Sequence, residues 1–143
     1  MSRVKLIMPE TFSFTVQIPV RITDINYGGH VGNDAILSLI HEARLQYLQH
    51  LGYTELNLQG LGLLMSDAAI EFKHELFYGN NLSIAVAAAD ISRSSFNLYY
   101  KMETAKDDKV VVVALVKTGM ICYDYAAKKV ATIPDEVRKS LSR

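Results

Sequence analysis

The chain has 143 residues, half of them apolar and 21% charged, enough for one domain with a sizeable core and too apolar for a disordered segment. Fifteen Lys and Arg balance fifteen Asp and Glu, so no net field recruits nucleic acid or an anionic membrane. The single cysteine, Cys122, makes neither an intrachain disulfide nor a metal cage, and its apolar neighbours predict a buried thiol. No apolar run reaches membrane-spanning length and the first residues lack the apolar core of a signal peptide; a cytoplasmic protein folded as one domain over 1–143 is expected.

Residues 12–23 alternate and are rich in β-branched and aromatic types, which predicts a strand, with Pro19 marking an edge or a bulge. A corner follows, Arg21-Ile-Thr-Asp24-Ile-Asn26-Tyr27-Gly28-Gly29-His30-Val-Gly-Asn33-Asp34, in which polar and titratable residues share a glycine-rich turn. The spacing of Ile36, Ile40, Ala43, Tyr47 and Leu51 predicts a helix over 35–51, with Asn33 as N-cap, Asp34 in the first turn and Gly52 as the stop. Leu39 and Leu45 widen its apolar surface beyond one stripe, so the helix is central and wrapped by other structure.

Strands are predicted at 61–73, 82–91, 95–104 and 110–123, and the short breaks between them favour antiparallel hairpins. Ser83, Ala85, Ala87 and Ala89 share a face whose small side chains leave room for the helix to lie close. The run 110–116 is almost uninterrupted β-branched sequence and predicts a strand covered on both faces. A short helix follows Pro134 over 135–141. The order defines an α+β domain: one curved antiparallel sheet wrapped around one long helix.

Chemistry concentrates in the corner. Backbone amides of a glycine-rich turn and the opening dipole of the following helix converge on a developing negative charge, so this is an oxyanion site with acid–base candidates beside it. Asp24 supplies a base or caps the turn through its own backbone. His30, a residue type that exchanges protons readily, is a second base or a hydrogen-bonded structural residue. Asp67 interrupts an apolar run and needs a partner: Arg21 or a backbone amide. Glu42 with Arg44 or a neighbouring strand reads as a structural ion pair.

The pattern Arg-x-x-Asp24-x-Asn26-x-Gly28-Gly29-His30-Val-x-Asn33, followed by His41-Glu-Ala-Arg44, the Phe77-Tyr-Gly-Asn80 turn and Ile133-Pro134, resembles the hotdog-fold acyl-CoA thioesterases, within them the 4-hydroxybenzoyl-CoA thioesterase-like branch. The resemblance spans roughly residues 12–141. It implies a homodimer whose sheets join edge to edge, often assembled further into tetramers. It also implies interface sites that hydrolyse an acyl-CoA or acyl-carrier thioester to free acid and thiol, without metal or cofactor.

Site roles follow from the same resemblance. The Asn33 amide is the oxyanion donor; Asp24 is the first base, with Asn26 positioning water and His30 second. Gly28 and Gly29 allow close approach, Tyr27 shapes the acyl pocket, and Asp67 offers a carboxylate across the interface. Arg93, Ser94 and Ser95 receive the nucleotide-pantetheine arm. One departure stands out: the branch usually carries Asp-x-Asp here, its second aspartate acting as nucleophile or base, where this chain has Asn26. An amide is no Brønsted base. That leaves a second reading open, a catalytically weak module that binds acyl-CoA without efficient turnover.

Overall fold

The computed structural model describes residues 3–143. Its elements in chain order are β1 (Phe14–Pro19), a 3-10 turn (Ile22–Asp24), α1 (Asn33–Leu51), β2 (Gly62–Phe72), β3 (Asn81–Ala89), β4 (Ser95–Lys106), β5 (Lys109–Asp124), β6 (Lys129–Val130) and α2 (Asp135–Leu141). The strands form one six-stranded antiparallel sheet in the order β1-β3-β4-β5-β2, with β6 added to β5. An antiparallel sheet around one long helix is therefore the architecture, as the pattern of elements predicts.

Why the helix sits where it does follows from burial. Ile36, Leu39, Ile40, Ala43, Tyr47 and Leu48 of α1 meet Leu82, Ile84 and Val86 of β3, Phe96, Leu98, Tyr100 and Met102 of β4, and Val116, Met120 and Cys122 of β5 in one core. Each large aliphatic or aromatic side chain sealed there contributes about 1.5–3 kcal/mol. Burial raises the pKa of the Cys122 thiol above its ordinary value, so it is packing and not a nucleophile.

Several expectations are corrected. β1 ends at Pro19, on an edge strand, because residues 22–24 wind into a 3-10 turn instead of extending to 23. The N-cap of α1 is Gly32, and Asn33 is already the first helical residue, with no side-chain cap. A Cβ at 32 would meet the Asp34 carboxylate, which would have to swing aside, and would stand at ordinary contact distance from the Asn26 side chain. Gly52 does end the helix, at φ +95°, its N–H donating to the carbonyls of Leu48 and Gln49.

The small face of β3 does not receive the helix. Leu82, Ile84 and Val86 do, because their larger apolar area gains more from burial than alanines would. Ala85 and Ala87 face outward and are still buried. In register across that outer face run Glu71, Leu115, Lys101, Ala85 and Thr15. The N-terminal segment crosses this row: the Leu6 N–H donates to Glu71 Oε1 at 3.1 Å, and Lys101 Nζ stands 5.1 Å from the centre of the Phe12 ring. Small residues leave room for that segment.

Along 110–116, Val113, Ala114 and Val116 are buried, yet Val110 is 70% exposed at the β4–β5 hairpin, so coverage on both faces fails there. That hairpin turns on Asp107 and Asp108 alone, both at positive φ, which is the two-residue geometry matching strand twist. A register shift between Met102 and Glu103 leaves Val113 as an extra residue on β5. Its carbonyl accepts the N–H groups of both Lys73 and His74, at 2.8 and 3.1 Å. Among the described residues, no helix is long and apolar enough to cross a membrane.

Candidate active site at the glycine corner

Arg21 opens the corner. Its N–H donates to Asp24 Oδ2 at 2.9 Å, and its guanidinium reaches the same carboxylate at 3.4–3.5 Å. Asp24 is only 6% exposed, and its carboxylate closes the 3-10 turn by reaching back to the Arg21 N–H in capping-box fashion, in place of the forward Asx hydrogen bond weighed from the sequence. Its carbonyl accepts the Gly32 N–H at 3.4 Å, which draws the start of α1 onto the turn.

Asn26 closes the next loop in three ways. Its N–H donates to the His30 carbonyl at 2.9 Å, its carbonyl accepts the Gly29 N–H at 3.1 Å, and its Oδ1 accepts the Gly28 N–H at 2.9 Å. Gly29 turns the chain at φ +81°, a conformation side chains resist. Gly28 lies between the two side chains that matter: a Cβ there would meet Asn26 Oδ1 at 3.2 Å and His30 Nε2 at 3.4 Å.

His30 is oriented by its neighbour. Nδ1 lies 3.2 Å from the Val31 carbonyl, and a carbonyl only accepts, so the tautomer that makes this hydrogen bond carries its proton on Nδ1. Nε2 keeps its lone pair. The corner is pinned to the β2–β3 connection by the Val31 N–H donating to the Leu76 carbonyl at 2.8 Å. Asn33 starts the helix, where first-turn N–H groups have no intrahelical partner.

A cleft of about 240 Å³ opens at this helix start. His30 and Asn33 line one part of it, Val31, Ile36, Leu76 and Val113 supply apolar wall, and Phe72, Lys73, His74 and Glu75 complete it. Lys73 is tied to Glu71 at 2.8 Å, and this ammonium is the main reason the Glu71 carboxyl is held below its ordinary pKa. His74 and Glu75 escaped the sequence reading. Their one signal is a polar triplet between the end of a strand and a buried leucine. Among the described residues, no three His, Cys, Asp or Glu side chains converge as a metal site.

Other candidates lie elsewhere in this chain. Tyr27 stands fully exposed at the tip of the corner. Asp67 is on the outer sheet face, where its carboxylate takes Lys117 Nζ at 3.0 Å and the Gly119 N–H at 3.0 Å; a side chain at 119 would overlap it. Its partners are thus a lysine and a backbone amide, and Arg21 belongs to Asp24. Arg93 Nε donates to Thr132 Oγ1 at 3.2 Å, and the Arg93 carbonyl accepts the Ile133 N–H at 2.9 Å. The Ser94 carbonyl accepts the Cys122 N–H, and the Ser92 and Ser95 hydroxyls meet at 2.7 Å. Arg93, Ser94 and Ser95 join a hairpin to the approach of α2 and form no part of the cleft wall.

Arg44 pairs with Glu55 and not with Glu42, which accepts from Gln46 instead. Glu55 Oε1 receives Arg44 Nε at 3.4 Å and lies 2.8 Å from His41 Nε2. Arg44 Nη1 donates to the Tyr100 hydroxyl at 3.3 Å, which meets Thr118 Oγ1 at 2.8 Å. Burial keeps the Tyr100 hydroxyl protonated by raising its pKa. This chain of contacts fastens α1 to the sheet two turns below the cleft.

A family profile described as the Thioesterase-like superfamily matches residues 20–141. The chain belongs to that superfamily. Among curated relatives, a 1,4-dihydroxy-2-naphthoyl-CoA hydrolase from Nostoc punctiforme is 28% identical over 131 residues, covering 87% of this chain and 84% of the relative. The crystal structure of a 1,4-dihydroxy-2-naphthoyl-CoA thioesterase from Synechocystis superposes with a TM-score of 0.80 at 21% identity, over 90% of this chain and 95% of that one. An aspartate-to-asparagine variant of 4-hydroxybenzoyl-CoA thioesterase, complexed with 4-hydroxybenzoyl-CoA, gives 0.81 at 16% identity, over 90% and 97%. These likenesses establish the hotdog thioesterase fold expected from the corner motif.

Proposed function

We propose that this protein hydrolyses an acyl-CoA thioester, and that its acyl group is a hydroxylated aromatic acid. Superfamily membership and the names of the relatives support the reaction and the acyl class. The observation that carries the site is the cleft at the start of α1, which His30 and Asn33 both line.

In this reading the thioester carbonyl lies against the first-turn amides of α1, with the Asn33 N–H as oxyanion donor. His30 Nε2 takes a proton from water as the oxygen attacks the carbonyl carbon, and gives it to the departing coenzyme A sulfur when the C–S bond breaks. Thioester and water become acid and thiol. Asp24 is a positioning residue, since Arg21 already occupies its carboxylate. Asn26 holds Gly28 and Gly29 in place and leaves the proton transfer to His30.

The partner in assembly is a second copy of the chain. β2 is an edge strand of eleven residues with Leu64, Met65 and Phe72 exposed, a template for pairing with its own copy. The site then gains residues from the neighbouring subunit, and Asp67 and Arg93 would act there and not within their own chain. Analytical ultracentrifugation tests this: a monomer at micromolar concentration contradicts it.

One observation favours the second reading, binding without efficient turnover: Asn26 stands where the branch carries its catalytic carboxylate, and its Oδ1 is occupied by a backbone amide. Thiol release from purified protein, measured beside equilibrium binding of the same acyl-CoA, separates the two. Turnover abolished in His30→Ala supports hydrolysis; saturable binding with no release of thiol supports the module.

A further inference from the structure

The segment between β2 and β3 is held at both ends. Lys73 and His74 donate their N–H groups to the carbonyl of the bulged Val113, and the carbonyl of Leu76 takes the Val31 N–H from the corner. Bulges of this kind re-aim a chain toward a site. His74 and Glu75 lie between these two anchor points and line the cleft that also holds His30 and Asn33. Lys73 is neutralised by Glu71, while His74 and Glu75 form no ion pair among the described residues. A carboxylate accepts a hydroxyl proton, and a neutral imidazole donates or accepts.

Beside His30, Asn33 and Lys73 the remaining wall is apolar, Val31, Ile36, Leu76 and Val113 with Phe72 adding an aromatic face. At about 240 Å³ it falls just below the usual ~300–1,000 Å³ of ligand pockets, which suits a compact ring and not a long chain. We infer that His74 and Glu75 are the specificity-determining pair of the acyl pocket, selecting a compact acyl group by hydrogen bonds to a hydroxyl it carries. The inference rests on the thioesterase reading and adds what that reading lacks, the groups that read the acyl end.

Two substrates differing by one hydroxyl test it: 4-hydroxybenzoyl-CoA and benzoyl-CoA, with 3-hydroxybenzoyl-CoA to locate the group. In the unaltered protein kcat/KM favours a hydroxylated substrate by about tenfold or more, the worth of one good hydrogen bond. In His74→Leu and Glu75→Leu the ratio collapses toward one, and His74→Gln and Glu75→Gln, which keep hydrogen-bonding groups, restore part of it. Both positions are exposed, so thermal unfolding of the variants stays near that of the parent. A ratio that persists in both leucine variants, or an unaltered protein indifferent to the hydroxyl, overturns the inference. If no thioester is hydrolysed at all, the thioesterase reading fails separately, and calorimetric binding of the same three thioesters still decides whether the pair reads a hydroxyl.

Discussion

The N–H of Asn26 donates to the carbonyl oxygen of His30 at 2.9 Å, so the residue that departs from the branch's motif also holds the histidine beside the cleft. Its side chain secures the same loop through the Gly28 N–H. An aspartate would accept that N–H equally well. Asn26→Asp is therefore expected to keep its stability within about 0.5 kcal/mol, whereas Asn26→Ala loses about 1 kcal/mol with the side-chain bond. Urea unfolding reads both. On the hydrolytic reading Asn26→Asp also raises thiol release while acyl-CoA affinity holds steady, because a carboxylate now stands beside His30.

Gly29→Ala probes the backbone alone. The added carbon meets nothing within 4 Å, but φ is +81°. Forcing a side chain into that region costs about 1–2 kcal/mol. The expected result is a lower urea midpoint at unchanged slope, with a larger relative loss of turnover than of stability, because the strain relaxes at the corner itself.

Arg44 is buried between Glu55 and the Tyr100 hydroxyl. Arg44→Ala removes packing and leaves Glu55 with only His41, at a cost of about 2–3 kcal/mol. Glu42→Ala, which breaks only an exposed contact with Gln46, is expected to change stability by less than about 0.5 kcal/mol. Equal effects of the two substitutions on the melting midpoint would contradict the pairing described here.

Asp90 gives a pH signature. Hydrogen bonds from Asn97 Nδ2 at 2.9 Å and the Tyr99 hydroxyl at 2.8 Å hold its carboxyl below the ordinary carboxylate value. A depressed folded pKa means the stabilisation is complete above the unfolded pKa of about 3.9 and is lost as pH falls through the folded value. Asp90→Asn keeps the positive φ comfortable, so the charge is what changes. The stability gap between parent and Asp90→Asn should be constant from pH 7 to 5 and should narrow below pH 4. A gap that widens on acidification would refute the assignment.

How far the sequence reached can be judged residue by residue. α1 was legible because its apolar spacing runs unbroken to a glycine stop, and the hairpin strands because turn residues interrupt them so regularly. The corner was legible because it is local: residues 21–33 make most of its hydrogen bonds among themselves. Alternation showed that Ser83, Ala85 and Ala87 share a face but not which face meets the helix, and the larger residues of the other face took that place. Arg44 found Glu55 across a loop with no periodicity to announce it. His74 and Glu75 were invisible for a similar reason. They reach the cleft because of a bulge at Val113, some forty positions along the chain, and no local pattern encodes that.

The most direct measurement is thiol release from a panel of short, long and aromatic acyl-CoAs by the purified protein, its His30→Ala variant and its Asp24→Asn variant. The account predicts turnover with aromatic substrates, a loss of about a hundredfold or more in His30→Ala, and a loss of only severalfold in Asp24→Asn, which keeps an acceptor for the Arg21 N–H. Full activity in His30→Ala with turnover abolished in Asp24→Asn would contradict it, and would return the base to the carboxylate that Arg21 now holds.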